Sequence, residues 1–127
     1  MQLADGGFSL HLQIADEGGP AVLAVQGEID AANAETLELA LLEVLKGDAP
    51  VVVDLGAVSF IDSSGLNAVV RVLRRHEGAN VALAAANPAI ARLIEMRGLH
   101  QMVAVHPSVE SALTPSHSVA LRPESVK

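Results

Sequence analysis

The sequence predicts an α/β domain: a mixed, mostly parallel β-sheet opened by an N-terminal hairpin, with about four helices packed against it. Three observations carry that reading. Half of the 127 residues are hydrophobic, mainly Ala, Val, Leu and Ile, enough for the core of one domain. Aromatic residues amount to 2%, Phe8 and Phe60, with no Trp or Tyr, and a core of small aliphatics suits helices lying close on a sheet. Strand-like and helix-like periods alternate from about residue 31 onward, the pattern of parallel strands joined by helices.

Each element follows from its own pattern. "FSLHLQIA" places Phe8, Leu10, Leu12 and Ile14 at period two, a strand with one apolar face. "DEGG" supplies turn chemistry, and "AVLAVQG" returns as the second strand of a hairpin. "EIDAANAETLELALLEVLKG" sets Leu37, Leu41, Val44 and Leu45 at helical spacing, with Glu35 and Glu38 early, Lys46 late and Gly47 as a stop. "APVVVDL" is a continuous apolar run, a strand buried on both faces. "SSGLNAVVRVLRRHEG" is a helix with Leu66, Val69, Val70 and Leu73 inward, Arg71, Arg74 and Arg75 outward, and Gly78 as its stop. "VALAAA" is the next strand. Asn87 then caps a helix with Pro88 at its first position and Gly98 at its end. "QMVAV" is a short edge strand, and Ser108 caps a last helix. Residues 1–113 form the expected domain. Residues 114–127, with two prolines and no periodicity, are expected to be a mobile tail.

Composition removes several function classes. A net charge of −7 disfavours nucleic acid and anionic membranes as partners. The absence of cysteine eliminates disulfides, thiol catalysis and Cys-ligated metal sites. "MQLADGGFSLHL" has no basic region followed by a long apolar run, and no apolar run approaches the ~18 residues of a membrane span. A cytoplasmic protein that is not inserted in a membrane is expected. There is no H-E-x-x-H, no histidine pair at i, i+4, and neither G-x-x-x-x-G-K-[ST] nor G-x-G-x-x-G, so neither a metal nor a phosphate-bearing cofactor is signalled.

The stretch "FIDSSGL", at the passage from a strand to a helix, holds the chemistry. Ser63 and Ser64 precede a helix, where serine is a common N-cap, and Asp62 can do the same work. A phosphate there would meet the positive end of the helix dipole. A nucleophilic role has less support, because "DSSGL" is not G-x-S-x-G and the five histidines are scattered. Asp30 in "GEID" ends an earlier strand and opens a helix, as a cap would. If the two strands run in the same direction, Asp30, Asp62 and Ser63 gather at one edge of the sheet.

The residues "VVVDLGAVSFIDSSGLNAVVRVLRR" closely resemble the signature of the STAS domain of bacterial anti-sigma factor antagonists. "GEIDAANAETL" and "NPAIARLIEMRGLHQMVAV" resemble flanking segments of the same family, in order, over roughly residues 8 to 113. The resemblance implies the STAS fold, with helices largely on one face of the sheet. It also implies a binding protein without catalysis or cofactor. In such partner switching the unmodified antagonist binds an anti-sigma factor that is also a serine kinase of the histidine-kinase-like ATPase type, and a sigma factor is released. The kinase spends its own ATP to phosphorylate the antagonist, the complex separates, and a serine phosphatase restores it. The modified serine maps onto Ser63, with Ser64 as second choice. The expected partner interface comprises Asp30, Asp62, Ser63, Ser64, Gly65 and Asn67. Asn67 departs from the small residue many relatives carry there; one turn beyond Ser63, it is a candidate to hydrogen-bond the phosphate.

Phosphorylation adds about −1.5 to −2 charges beside Asp62. At ~6 Å and an effective dielectric of ~20 the repulsion is about 5 kcal/mol, and a third of that weakens binding more than tenfold. Arg71 begins roughly 12 Å along the helix, too far to neutralise the phosphate. Two other readings stand beside this one: a constitutive structural subunit of a lipid-transport or signalling scaffold, with Ser63 a cap only, and a small hydrolase.

Overall fold

A computed structural model describes residues 2–5, 7–14, 19–76 and 78–114. Six strands, β1 (Gln2–Asp5), β2 (Phe8–Ile14), β3 (Ala21–Ile29), β4 (Val51–Ile61), β5 (Val81–Ala84) and β6 (Ala104–His106), form one sheet in chain order. β1–β2 and β2–β3 are antiparallel; β3–β4, β4–β5 and β5–β6 are parallel. The expected mixed sheet with its hairpin and C-terminal edge strand is therefore present. β1 is an added strand that extends the hairpin into a meander. The expected tail lies outside the described residues beyond Thr114.

Helices α1 (Ala34–Val44), α2 (Ser63–Arg75) and α3 (Pro88–Met96) each follow one strand of the parallel half. Right-handed crossovers place all three on one face, where Leu37, Leu41, Leu66, Val69, Leu73, Ile90 and Ile94 join Leu23, Val25, Val53 and Leu83 in a single core. α4 (Val109–Leu113) lies on the other face, its Ala112 and Leu113 beside Val52, Ala82 and Ala104. This explains the unbroken run in β4: Val51 and Val53 face the three helices, Val52 faces α4, and all three are buried. A short 3-10 turn, Leu99–Gln101, leads from α3 towards β6. No helix among the described residues is long and apolar enough to cross a membrane.

The helix-end signals are confirmed at three places. Asn87 accepts from the Ile90 N–H with Pro88 at the first position, Ser108 accepts from the Ser111 N–H, and Gly98 adopts φ +74° after α3. Two expectations are corrected. Ile14 is 68% exposed, so the apolar face of β2 is covered only as far as Leu12. α1 also begins later than its sequence pattern implies, at Ala34 rather than directly after Asp30.

Within α2, burial of Leu66, Val69, Val70, Val72 and Leu73 contributes roughly 1.5–3 kcal/mol per side chain. A cap contributes about 1 kcal/mol. Packing therefore holds α2 against the sheet, and the cap decides where the helix starts.

Candidate functional site at the ends of β3 and β4

β3 and β4 run parallel and end together, with Ile29 opposite Ile61. The next residues, Asp30 and Asp62, thus lie about one strand spacing apart, ~4.8 Å, at the strand C-terminal edge. The Asp62 N–H donates to the Ile29 carbonyl at 3.0 Å, tying the two exits to each other. Asp30 and Asp62 are both half-buried.

At the β4 exit the helix starts at once. Asp62 is the N-cap in extended conformation; its Oδ1 accepts from the Gly65 N–H at 3.0 Å and its carbonyl accepts from the Leu66 N–H. Ser63 is consequently the first helical residue and not the cap, because the carboxylate one position earlier already occupies that role. Among the described residues the exposed Ser63 hydroxyl makes no hydrogen bond within the chain. Ser64 is half-buried and turned towards α1, so the two serines differ in access. Gly65 is buried against the sheet: a Cβ there would sit 2.5 Å from Ile29 Cγ2 and 2.9 Å from Ile61 Cγ1. The absence of a side chain there lets the first turn of α2 come down onto the strand ends.

The β3 exit is built differently. The Asp30 carboxylate does not cap α1; it accepts from the Ala32 N–H at 2.9 Å within the turn 31–33. Asn33 occupies the cap position without a side-chain cap bond, since its amide is committed elsewhere. Its Oδ1 accepts from the Asp30 N–H at 2.9 Å, and its Nδ2 donates to the Glu28 carbonyl at 2.8 Å. At 7% exposure, Asn33 is a buried polar residue with both ends of its amide satisfied.

Between α1 and α2 runs an open notch of about 400 Å³, with Glu35 and Glu38 on one side and Ser64, Asn67 and Arg71 on the other. Arg71 donates to Glu38 through Nη2 at 2.8 Å and Nε at 3.4 Å. The guanidinium hydrogen bond holds the Glu38 carboxyl below its ordinary pKa, and the same bond raises that of Arg71. Arg71 is thus occupied by Glu38. Asn67 is exposed, and its Oδ1 accepts from Arg97 Nη2 at 2.6 Å.

Asp30, Asp62, Ser63, Ser64 and Asn67 accordingly share one edge of the molecule. Three residues of this region have no part in the sequence-based site. Asn33 carries only a generic cap signal. Phe60, 51% exposed two residues before Asp62, follows from strand alternation once β4 is extended to Ile61. Arg97 meets Asn67 across 30 positions, and nothing local announces that contact. His76 Nδ1 is 3.1 Å from the Val72 carbonyl and His106 Nδ1 is 3.2 Å from the Ser111 hydroxyl, and His76 closes the far end of α2, roughly 20 Å along the helix from Ser63.

The chain is similar to proteins of known identity over most of its length. The family model of the STAS domain matches residues 11–112. The anti-sigma-F factor antagonist RsfB of Mycobacterium tuberculosis is 33% identical over 109 residues, covering 84% of this chain and 88% of that protein. The crystal structure of an anti-sigma factor antagonist from Mycobacterium paratuberculosis superposes with a TM-score of 0.75 at 31% identity, covering 85% of this chain and 92% of that one. SpoIIAA in its unphosphorylated form shares the fold, with a TM-score of 0.67 at 18% identity over 87% of this chain and 98% of its own. Matched in sequence from β2 to α4 and in the topology of its sheet, the chain belongs to the STAS-domain family.

Proposed function

We propose that this protein is an anti-sigma factor antagonist that works as a binding partner, not as an enzyme. Unphosphorylated, it binds an anti-sigma factor that is also a serine kinase of the histidine-kinase-like ATPase type, and a sigma factor is released. ATP is bound by the kinase and not by this chain. Phosphorylation of Ser63 ends the complex, and a serine phosphatase restores the binding form. Relatives named as anti-sigma factor antagonists at 31–33% identity support the role.

The observation that carries the assignment to Ser63 is its position beside a cap that it does not itself provide. Asp62 satisfies the Gly65 N–H, so a phosphate on the exposed Ser63 hydroxyl leaves the start of α2 intact. The first-turn N–H groups and the helix dipole favour the added anion locally. Towards a docked partner the same anion adds to Asp30 and Asp62, and its charge and bulk both oppose binding. Ser64, half-buried against α1, is the less accessible substrate.

Incubation with the cognate kinase and ATP adds one phosphate, located at Ser63 by mass spectrometry, and Ser63→Ala abolishes it. Ser63→Asp weakens the kinase complex more than tenfold, about 1.4 kcal/mol. Full phosphorylation of Ser63→Ala would sink the assignment. Binding indifferent to Ser63→Asp would instead indicate a constitutive scaffold subunit.

A further inference from the structure

We propose that Arg97 is the counter-charge for a phosphate on Ser63, and that modification transfers its guanidinium from Asn67 to the phosphate. The inference rests on the reading of Ser63 as the modified residue, and adds to it a second change on the same surface.

The argument is one of bearings around α2. Helices α1, α2 and α3 follow successive parallel strands and lie side by side, with α2 in the middle. A helix turns about 100° per residue. Taking Ser63 as origin, Asn67 lies about 40° round, Arg71 about 80° and Ser64 about 100°. That direction is the α1 side, because Arg71 bonds Glu38 and Ser64 lines the α1 notch. α3 flanks the opposite side. Arg97 follows the last turn of α3, and its side chain reaches back along α2, on the flank where Ser63 lies, to bring Nη2 within 2.6 Å of Asn67 Oδ1. Side chains on a helix also lean towards its N-terminus, which holds the Asn67 amide, and the guanidinium on it, over the turn that carries Ser63. The Ser63 and Asn67 Cβ atoms are about 5–6 Å apart in such a pair. A phosphoryl group on Ser63 Oγ therefore projects one turn beyond the amide that Arg97 already reaches, a distance that a long arginine side chain covers by a change of rotamer.

Charge decides the competition. Asn67 offers a neutral amide oxygen, whereas the phosphate offers three oxygens bearing about −1.5 to −2 charges, matched to the two-pronged donor of an arginine. Other charged groups near Ser63 do not substitute for it. Asp30 and Asp62 are anionic and bonded to the Ala32 and Gly65 N–H groups; Glu28 lies one strand back; Arg71 is held by Glu38. Arg97 is exposed and makes no ion pair among the described residues. Phosphorylation then has two effects on the face a partner meets: it adds an anion, and it frees the Asn67 amide.

The test places phosphoserine at position 63 by amber-codon incorporation, so it needs no kinase and is independent of whether a kinase selects Ser63. The second phosphate ionisation is followed by 31P NMR at low salt. With Arg97 present the phosphate pKa is lower, by about half a pH unit or more, than in the Arg97→Gln protein. Arg74→Gln, an exposed arginine eleven positions along α2 and roughly 16 Å from Ser63, titrates like the unsubstituted protein. Equal titration of the unsubstituted and Arg97→Gln proteins, or a shift as large in Arg74→Gln, would overturn the proposal. Failure of a kinase to modify Ser63 would refute the functional reading and leave this titration unaffected.

Discussion

Two neighbouring strand exits carry this site, and they are constructed by opposite means. β4 passes into α2 without an intervening turn: Asp62 caps, Gly65 lets the helix sink onto Ile29 and Ile61, and Ser63 is left unengaged at the surface. β3 passes into α1 through three turn residues fastened from beneath by the buried amide of Asn33. One exit is a fixed support for an acid, Asp30; the other exposes a hydroxyl that takes no part in holding the fold. The difference teaches that the residue suited to modification is the one relieved of structural duty by its neighbour.

Substitutions can break this contrast, in descending order of expected effect. Asn33→Leu takes the side-chain partner from the part-buried Asp30 N–H and Glu28 carbonyl and should cost roughly 2–3 kcal/mol, read from denaturant unfolding. Gly65→Ala drives a methyl into two buried isoleucines and should cost about 1–3 kcal/mol, measured the same way. Asp62→Ala removes the α2 cap at about 1 kcal/mol, whereas Ser63→Ala should change stability by under about 0.5 kcal/mol. Comparable losses in these last two would contradict the division of labour between them. The smallest effect concerns pH. The hydrogen bond from Arg71 depresses the folded-state pKa of Glu38, so its stabilisation is complete above the unfolded carboxylate pKa, about 4.3, and fades as pH falls through the lowered value. Glu38→Gln should flatten that acid limb of the stability curve and leave stability near neutrality little changed, as such exposed pairs contribute little.

The architecture was largely legible, because the features that encode it are local or periodic. Asn87–Pro88 and Ser108 bond groups three residues away, so their roles can be read along the chain. The apolar stripe of α2 and the run Val51–Val53 state their burial directly. Asp30 misled for a physical reason. An acid between strand and helix satisfies the capping rule, but the competing amide of Asn33 delays the helix and leaves Asp30 to serve the turn instead. Ser63 was placed correctly at the helix start, while its exemption from capping depended on which of two adjacent oxygens reaches the Gly65 N–H. The distal half of β4 was hidden by exposed Gly56, Ala57, Ser59 and Phe60 and by two register shifts against β3. Arg97 could not be found at all, since its partner lies on another helix.

The missing side chain at Gly65 has one more consequence. With α2 seated directly on two buried isoleucines, its first turn has no slack beneath it and cannot sink or tilt to absorb a new group at position 63. Side chains nearby can swing, but the backbone acts as a hard backing plate. On the proposed function, a mark made at Ser63 meets that backing instead of open space beneath the helix. It remains in relief on the surface, legible only to a partner that touches it there.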